Sequence, residues 1–413
     1  MPAKICIVGA RTDEGKTGIA VCEDWRKMKD WVENEDIQEC GKFFQWLHLH
    51  PEESGCEYET SKYVSTVLKE EGYRIIQVSN TGFIAFLDLG CRETIALRAE
   101  LDALQISGDY WEDDIPGKIV HACGHDGHMA MLMTTGKILA RKRDCLKTNV
   151  ALLFEEGEEK GLGNEALRIA MEPLGIKSVW GLHVEPEVES GKIALVPGMI
   201  MAGDTDIEIR LVGEGGHASR PDQCRNPINA AGELIQAVRS MWMDETTPGT
   251  AVSFSFTKIQ GGKELNVVPD EVILGGSLRF FDKETAKTVI SKIKERASHI
   301  AAMNECRVIF SDSMEIYGDI TWNDPELCKK VRRVMEDYGL QERLTRLPPL
   351  YSSESFAHFS KKYPSLYVFL GNGRKGEEIP LHSRWFEADP SNFELGIQAA
   401  LCFVEAESVR QEI

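Results

Sequence analysis

The sequence predicts an α/β protein interrupted by a compact β-α-β-β-α-β unit. Three observations lead there. Over about 38–200, helical patterns alternate with short apolar runs; over about 200–313 the order changes; after 314 the first style returns. Strands interleaved with helices imply a sheet covered by helices. In the first section "SKYVSTVLKEEGY" reads as a helix, and "TIALRA", "NVALLF" and "VWGLHV" read as buried strands. The middle section reads as strand "TDIEIRLV", helix "NPINAAGELIQAVRSM", strands "AVSFSFTKIQ" and "EVILGGSLRFF", helix "KETAKTVISKIKERASHIAA" and strand "CRVIFSD". That order is the split ferredoxin-like unit. After the helix "NDPELCKKVRRVMEDYG" come strand "SLYVFLG" and a last helix opened by the capping box "SNFE". The expected organisation is one discontinuous domain, 1–199 and 314–413, carrying a second domain at 200–313.

Composition narrows the function classes. The chain has 413 residues and a net charge of −19. Binding to nucleic acid or to anionic membrane without sequence preference needs a basic surface, so neither is expected. No apolar run approaches the ~18 residues of a membrane span. The N-terminal run "ICIVGA" is too short for a signal sequence, so a cytoplasmic location is expected. Eleven scattered cysteines, an odd number, suit reduced thiols better than a disulfide framework.

The chemistry gathers at "HACGHDGH", residues 121–128. Cys123 and His125 offer a thiolate and an imidazole in the turn entering a helix, and these groups bind borderline divalent metals. Taken alone, the stretch reads better as a capped helix start with polar decoration. A structural zinc knuckle lacks a second Cys/His pair at finger-like spacing. Company changes the balance. "ALLFEEGEEKGLG" ends a strand in Glu155, Glu156, Glu158 and Glu159, "VWGLHVEP" puts His183 at another strand end, and "EIPLHSRWFEADP" puts His382 in a loop before the last helix. Carboxylates and imidazoles at strand C-terminal ends lie where open α/β sheets place ligands. Four such positions together point to a metal site.

These residues, with "ALRAELDAL", "GEGGHASRPDQCRNPINAA", "NVVPDE" and "PLHSRWFEAD", resemble the metal-dependent amidohydrolases of the aminoacylase, hippurate hydrolase and auxin–amino acid conjugate hydrolase group, of peptidase family M20 (subfamily D type). The resemblance runs from Gln45 to the C-terminus. It implies a zinc-exopeptidase-like catalytic domain with an inserted ferredoxin-like lid that also dimerises. It further implies two divalent ions, zinc or manganese, held by Cys123, His125, Glu159, His183 and His382. Glu158 matches the general base, and Asp102 an aspartate that supports the metal cluster. His217, in "GEGGHASRP", resembles a lid histidine that stabilises an oxyanion in the neighbouring subunit. Asn266 and Arg279 match polar positions facing the substrate, where an arginine could hold a carboxylate. For Arg279 a plain salt bridge is an equal alternative. His121, His128 and Asp126 resemble supports of the ligands.

The expected reaction is hydrolysis of the amide bond of small N-acyl or N-aroyl amino acids, with a dipeptidase or carboxypeptidase as the rival and a non-catalytic protein as the remoter one. Glu100 stands where the family has aspartate, Gln105 where it has proline, Ser355 where it has aspartate, and Glu155-Glu156-Gly157 where it has Gln-Pro-Ala. All are expected near the substrate. One further motif misleads: "GARTDEGKT" resembles a phosphate-binding loop, but Gly9 falls one residue early and Ala10 holds the required position. Nucleotide binding is therefore not expected.

Overall fold

The computed structural model describes residues 9–11, 17–19, 28–106, 118–245, 249–373 and 379–408. In chain order come helices α1 (Asn34–Leu49) and α2 (Tyr58–Glu70), and strands β1 (Arg74–Gln77), β2 (Phe83–Leu87) and β3 (Thr94–Glu100). Helix α3 (His125–Arg141), strand β4 (Asn149–Glu155), helix α4 (Asn164–Met171) and strands β5 (Ile176–Glu189) and β6 (Ile193–Ala194) follow. Next are β7 (Gly203–Val212), α5 (Pro227–Glu245), β8 (Val252–Gln260), β9 (Glu271–Phe280), α6 (Lys283–Met303) and β10 (Arg307–Phe310). After them lie α7 (Pro325–Asp337), β11 (Leu344–Thr345), β12 (Ser365–Gly373) and α8 (Phe393–Ser408). The chain divides into two units. The first comprises Met1–Gly198, Asn323–Leu347 and His358–Ile413; the second comprises Met199–Trp322 and Pro348–Ala357.

The first unit is built on an eight-stranded mixed sheet in the order β11-β6-β12-β5-β3-β4-β2-β1. Strands β12, β5, β3 and β4 run parallel, while β2 and β1 turn antiparallel at one side. Every residue of "TIALRAE" and "NVALLFE" is buried. A parallel sheet with covered faces demands such continuous apolar runs. Helix α3, buried along most of its length, packs against α1 and α8. From β3 the chain passes through α3 to β4, then through α4 back across β3 to β5. The C-terminal end of β3 is therefore the topological switch point, where open α/β sheets bind ligands.

The second unit has a four-stranded antiparallel sheet, β8-β9-β7-β10, with its own core against α5 and α6. Buried and partly exposed residues alternate along β7, as one covered and one open face require. Its element order is the β-α-β-β-α-β read from the sequence, and the α/β class is borne out. The last helix begins differently from the expected capping box. Asp389 accepts the Ser391 N–H at 3.0 Å and caps a 3-10 turn, Pro390–Asn392, before α8 starts at Phe393. Pro390 favours this, because its fixed φ suits the first position of a turn and its missing N–H needs no partner there.

Among the described residues no helix is long and apolar enough to cross a membrane. Eight described cysteines are free thiols. Gly15 and Lys16 of the near-miss phosphate loop lie outside the described residues, as does most of "QISGDYWEDDIPGKI", a stretch that also departs from the pattern of the resembled family.

Candidate metal centre

The switch point collects the sequence-predicted donors from four directions, all within the first unit. Cys123 and His125 flank Gly124, the N-cap of α3, which holds φ +84°. A Cβ on Gly124 would stand 2.3 Å from Val184 Cγ2, so the turn that aims both side chains accepts only glycine. Glu158 and Glu159 sit on a 3-10 turn after β4, entered through left-handed Gly157 (φ +56°). His183 lies on β5 in register with Phe369 of β12. His382 has φ +60°, uncommon for a residue with a side chain, and its N–H donates to the Ala122 carbonyl at 2.8 Å. That bond ties the His382 loop to the Cys123 turn.

The donor atoms converge. Cys123 Sγ stands 3.4 Å from His183 Nε2. Glu159 Oε1 lies 3.3 Å from His382 Nε2 and 3.9 Å from His125 Nε2. Three overlapping triads, Cys123–His125–His183, Cys123–Glu159–His382 and His125–Glu158–Glu159, each keep their ligand atoms within 4.8 Å of one another. Thus all five residues expected as ligands and the expected base come together in one place.

Hydrogen bonding fixes which nitrogens are open. His125 Nδ1 faces two acceptors, the Asp102 carbonyl at 3.0 Å and Asp102 Oδ1 at 3.1 Å, so it carries the proton and Nε2 keeps its lone pair. His183 Nδ1 donates to the Val184 carbonyl at 2.6 Å, which turns its Nε2 toward the Cys123 sulfur. Asp102 Oδ2 accepts the Ser54 hydroxyl at 2.7 Å and the Glu159 N–H at 3.1 Å. Burial opposes the charge on Asp102, but the His125 bond, backed by those from Ser54 and Glu159, holds its carboxyl below the usual range.

A divalent metal fits these residues. Glu159 Oε1 is buried without a well-aligned hydrogen bond among the described residues, His382 Nε2 at 3.3 Å being its neighbour, and carboxylate oxygens in that state are costly. Burial pushes the Cys123 thiol well above its ordinary range, and a nearby cation is what would hold it as thiolate. Thiolate, imidazole nitrogens and a carboxylate form a borderline-metal donor set.

Glu100, His125 and His128 also lie close enough to suggest a cluster. His128 nevertheless spends both nitrogens elsewhere. Its Nε2 accepts the Val184 N–H at 2.9 Å, so Nδ1 carries the proton and donates to Glu100 Oε2 at 2.8 Å. Glu100 also pairs with Arg98, and Arg98 Nε donates to Glu155 Oε2 at 2.7 Å. All four side chains are buried. The unusual Glu100 and Glu155, expected beside the substrate, therefore point into the protein as a closed ion network. Asp126 accepts from His48 at 2.8 Å, and His121 is buried with neither ring nitrogen hydrogen-bonded among the described residues. Burial lowers the His121 pKa to about 4.

The remaining expected residues belong to the second unit. His217 stands exposed on a two-residue strand paired with Val267–Val268, and the neighbouring Ala218 N–H donates to the Asn266 carbonyl at 2.9 Å. His217 Nδ1 accepts the Ser219 N–H at 3.1 Å, so the proton resides on Nε2. Arg279 on β9 lies 3.4 Å from Asp204 Oδ2 and donates to Ser353 Oγ. Sequence reasoning missed Ser54, Glu57 and Arg98. A serine or glutamate just before a helical pattern reads as a cap, and only the fold turns these inward.

The profile of peptidase family M20/M25/M40 matches residues 96–406. The chain is 32% identical over 347 residues to an IAA-amino acid hydrolase (ILR1-like 2) of Arabidopsis thaliana, covering 81% of this chain and 78% of that protein. It is 32% identical over 338 residues to an N-acetyl-L-cysteine deacetylase of Bacillus subtilis, covering 79% and 78%. Among solved structures, a dinuclear metal-binding peptidase of the M20 family from Bacillus subtilis superposes with a TM-score of 0.75 at 26% identity. It covers 91% of this chain and all of that one.

Proposed function

Because the chain belongs to peptidase family M20/M25/M40, we propose that it is a metal-dependent amidohydrolase cleaving the amide bond of small N-acyl amino acids. Cys123, His125, Glu159, His183 and His382 hold two divalent ions, zinc or manganese. The observation that carries this reading is the convergence of those donors on the Glu158 turn at the sheet's switch point. When bound, such ions supply Lewis acidity toward a water and toward the scissile carbonyl.

The chain's own residues do the rest. Glu158 takes the water proton on its carboxylate and delivers it to the leaving amine nitrogen. Asp102 keeps the proton of His125 on Nδ1 and so keeps Nε2 open. His217, protonated on Nε2, donates to the developing oxyanion of a neighbouring subunit, which makes the working form a homodimer joined through the second unit. The long edge strand β8 is a surface suited to that pairing. Asn266 and Arg279 contact the substrate, the guanidinium taking its carboxylate. The reaction takes place in the cytoplasm.

The test is hydrolysis of a panel of N-acetyl amino acids, N-benzoyl amino acids and dipeptides, before and after chelation and metal add-back. Glu158→Gln is expected to lower kcat about 10²–10⁴-fold while two metals per chain remain. No turnover of any panel member at full metal content would sink the amidohydrolase reading. Dipeptide turnover alone would move it to a dipeptidase.

A further inference from the structure

Glu57 sits at the N-cap of α2, where an acid would ordinarily be explained by the helix dipole. Its side chain does not cap the helix. It is fully buried, and its Oε1 accepts two backbone N–H groups, Gly55 and Gly157, each at 2.8 Å. Oε2 accepts the Thr81 hydroxyl at 2.7 Å. Gly157 is the residue from which the Glu158–Lys160 turn springs. The same loop holds the neighbouring strand end, through Ser54 on Asp102 and through the Ala103 N–H on the Glu52 carbonyl at 2.8 Å.

We propose that Glu57 is a positioning residue for the reaction: by holding the Gly157 N–H it fixes the start of the turn that presents Glu158. This rests on reading Glu158 as the base. The geometry separates reach from charge. A left-handed glycine has no side chain to lock it, so Gly157 is held by its hydrogen bonds. A glutamine at 57 has the same length and an oxygen that accepts both N–H groups, while its NH₂ faces Thr81 Oγ, a hydroxyl able to accept. An aspartate keeps the charge but falls one methylene short of Gly157. Burial pushes the Glu57 carboxyl above its usual range, partly offset by its hydrogen bonds, so a neutral replacement suits the site.

The experiment compares Glu57→Gln and Glu57→Asp with the wild type, and with Glu158→Gln as reference. It measures hydrolysis of N-acetylmethionine, metal content per chain, and amide hydrogen exchange over residues 155–163. Glu57→Asp is expected to speed exchange of the Gly157 amide at least tenfold. It should also lower kcat about 10–100-fold, with KM within twofold and metal content unchanged. Glu57→Gln is expected to stay within threefold of wild type on every readout. A Gly157 amide still protected in Glu57→Asp overturns the proposal. So does a glutamine variant as impaired as the aspartate one, or a kcat loss that merely tracks lost metal. If Glu158→Gln keeps full turnover while Glu57→Asp still frees the Gly157 amide, the anchor stands and the assignment of the base falls.

Discussion

His125 and His128 are three residues apart on α3, and both are buried beside carboxylates. One keeps an open nitrogen; the other uses both of its own, because Val184 N–H takes the Nε2 lone pair. His128 thereby links Glu100 to the backbone next to His183, and Arg98 links Glu100 to Glu155 at the end of β4. Burial opposes charge on Glu100, but Arg98 and then His128 outweigh it and hold the carboxyl well below the usual range. A guanidinium between two buried carboxylates cannot be removed cheaply. Arg98→Met is expected to lower the unfolding free energy by about 3–5 kcal/mol, because two buried charges lose their partner. Adding Glu100→Gln and Glu155→Gln should restore at least half. Urea unfolding measures both. A single variant within about 0.5 kcal/mol of wild type, which is typical of exposed surface changes, would show that the network is not what holds these strand ends together.

Elements explain why the sequence was readable where it was. Parallel strands must be apolar throughout, so β3, β4 and β5 announce themselves, and their C-terminal ends name the residues that face a ligand. Glu158 and Glu159 were legible because they follow such a run and His183 because it lies on one, while Cys123, His125 and His382 were legible from residue type and company. Glu57 and Ser54 were not, since nothing local tells an inward acid from a capping one. Glu100 was misplaced because an acid two residues beyond a buried arginine, at a strand end, has no pattern that says whether it meets solvent or that arginine. Helix α8 carries another such acid. Glu405 accepts the Tyr338 hydroxyl and the Met28 N–H, the latter at 3.2 Å, and so pins the Met28–Trp31 turn. Burial, with a smaller push from Asp337 and against the Met28 bond, raises its carboxyl from 4.5 to about 7. The folded chain therefore binds a proton that the unfolded chain has released, and stability falls as pH rises from about 4.5 through about 7. Solvent reaches part of this group, so the loss is on the order of 1 kcal/mol. Glu405→Gln keeps the two acceptor contacts without the charge. The difference in urea midpoint between wild type and variant should widen from pH 5 to pH 8; a constant difference would reject the titration.

At the scale of the whole molecule the chain carries a net charge of −19. Part of its negative charge is gathered where Asp102 is buried and Glu159 half-buried beside the Cys123 thiol, in a unit with its own core. The second unit has a separate core under β7–β10. A metal that binds only the folded first unit stabilises it by mass action, about 2.7 kcal/mol at a hundredfold excess over Kd. Chelation is therefore expected to lower the thermal midpoint of the first unit by roughly 5–10 °C, and metal add-back to restore it. Amide exchange localises the effect. Protection should fall at 121–128, at the Gly157–Lys160 turn and around His382, while the strands of the second unit keep theirs. Glu159→Gln, which blunts one donor shared by two of the triads, should shrink the shift. An unchanged midpoint on chelation, or equal loosening of both units, would mean that the acidic cluster is held together by protein contacts alone.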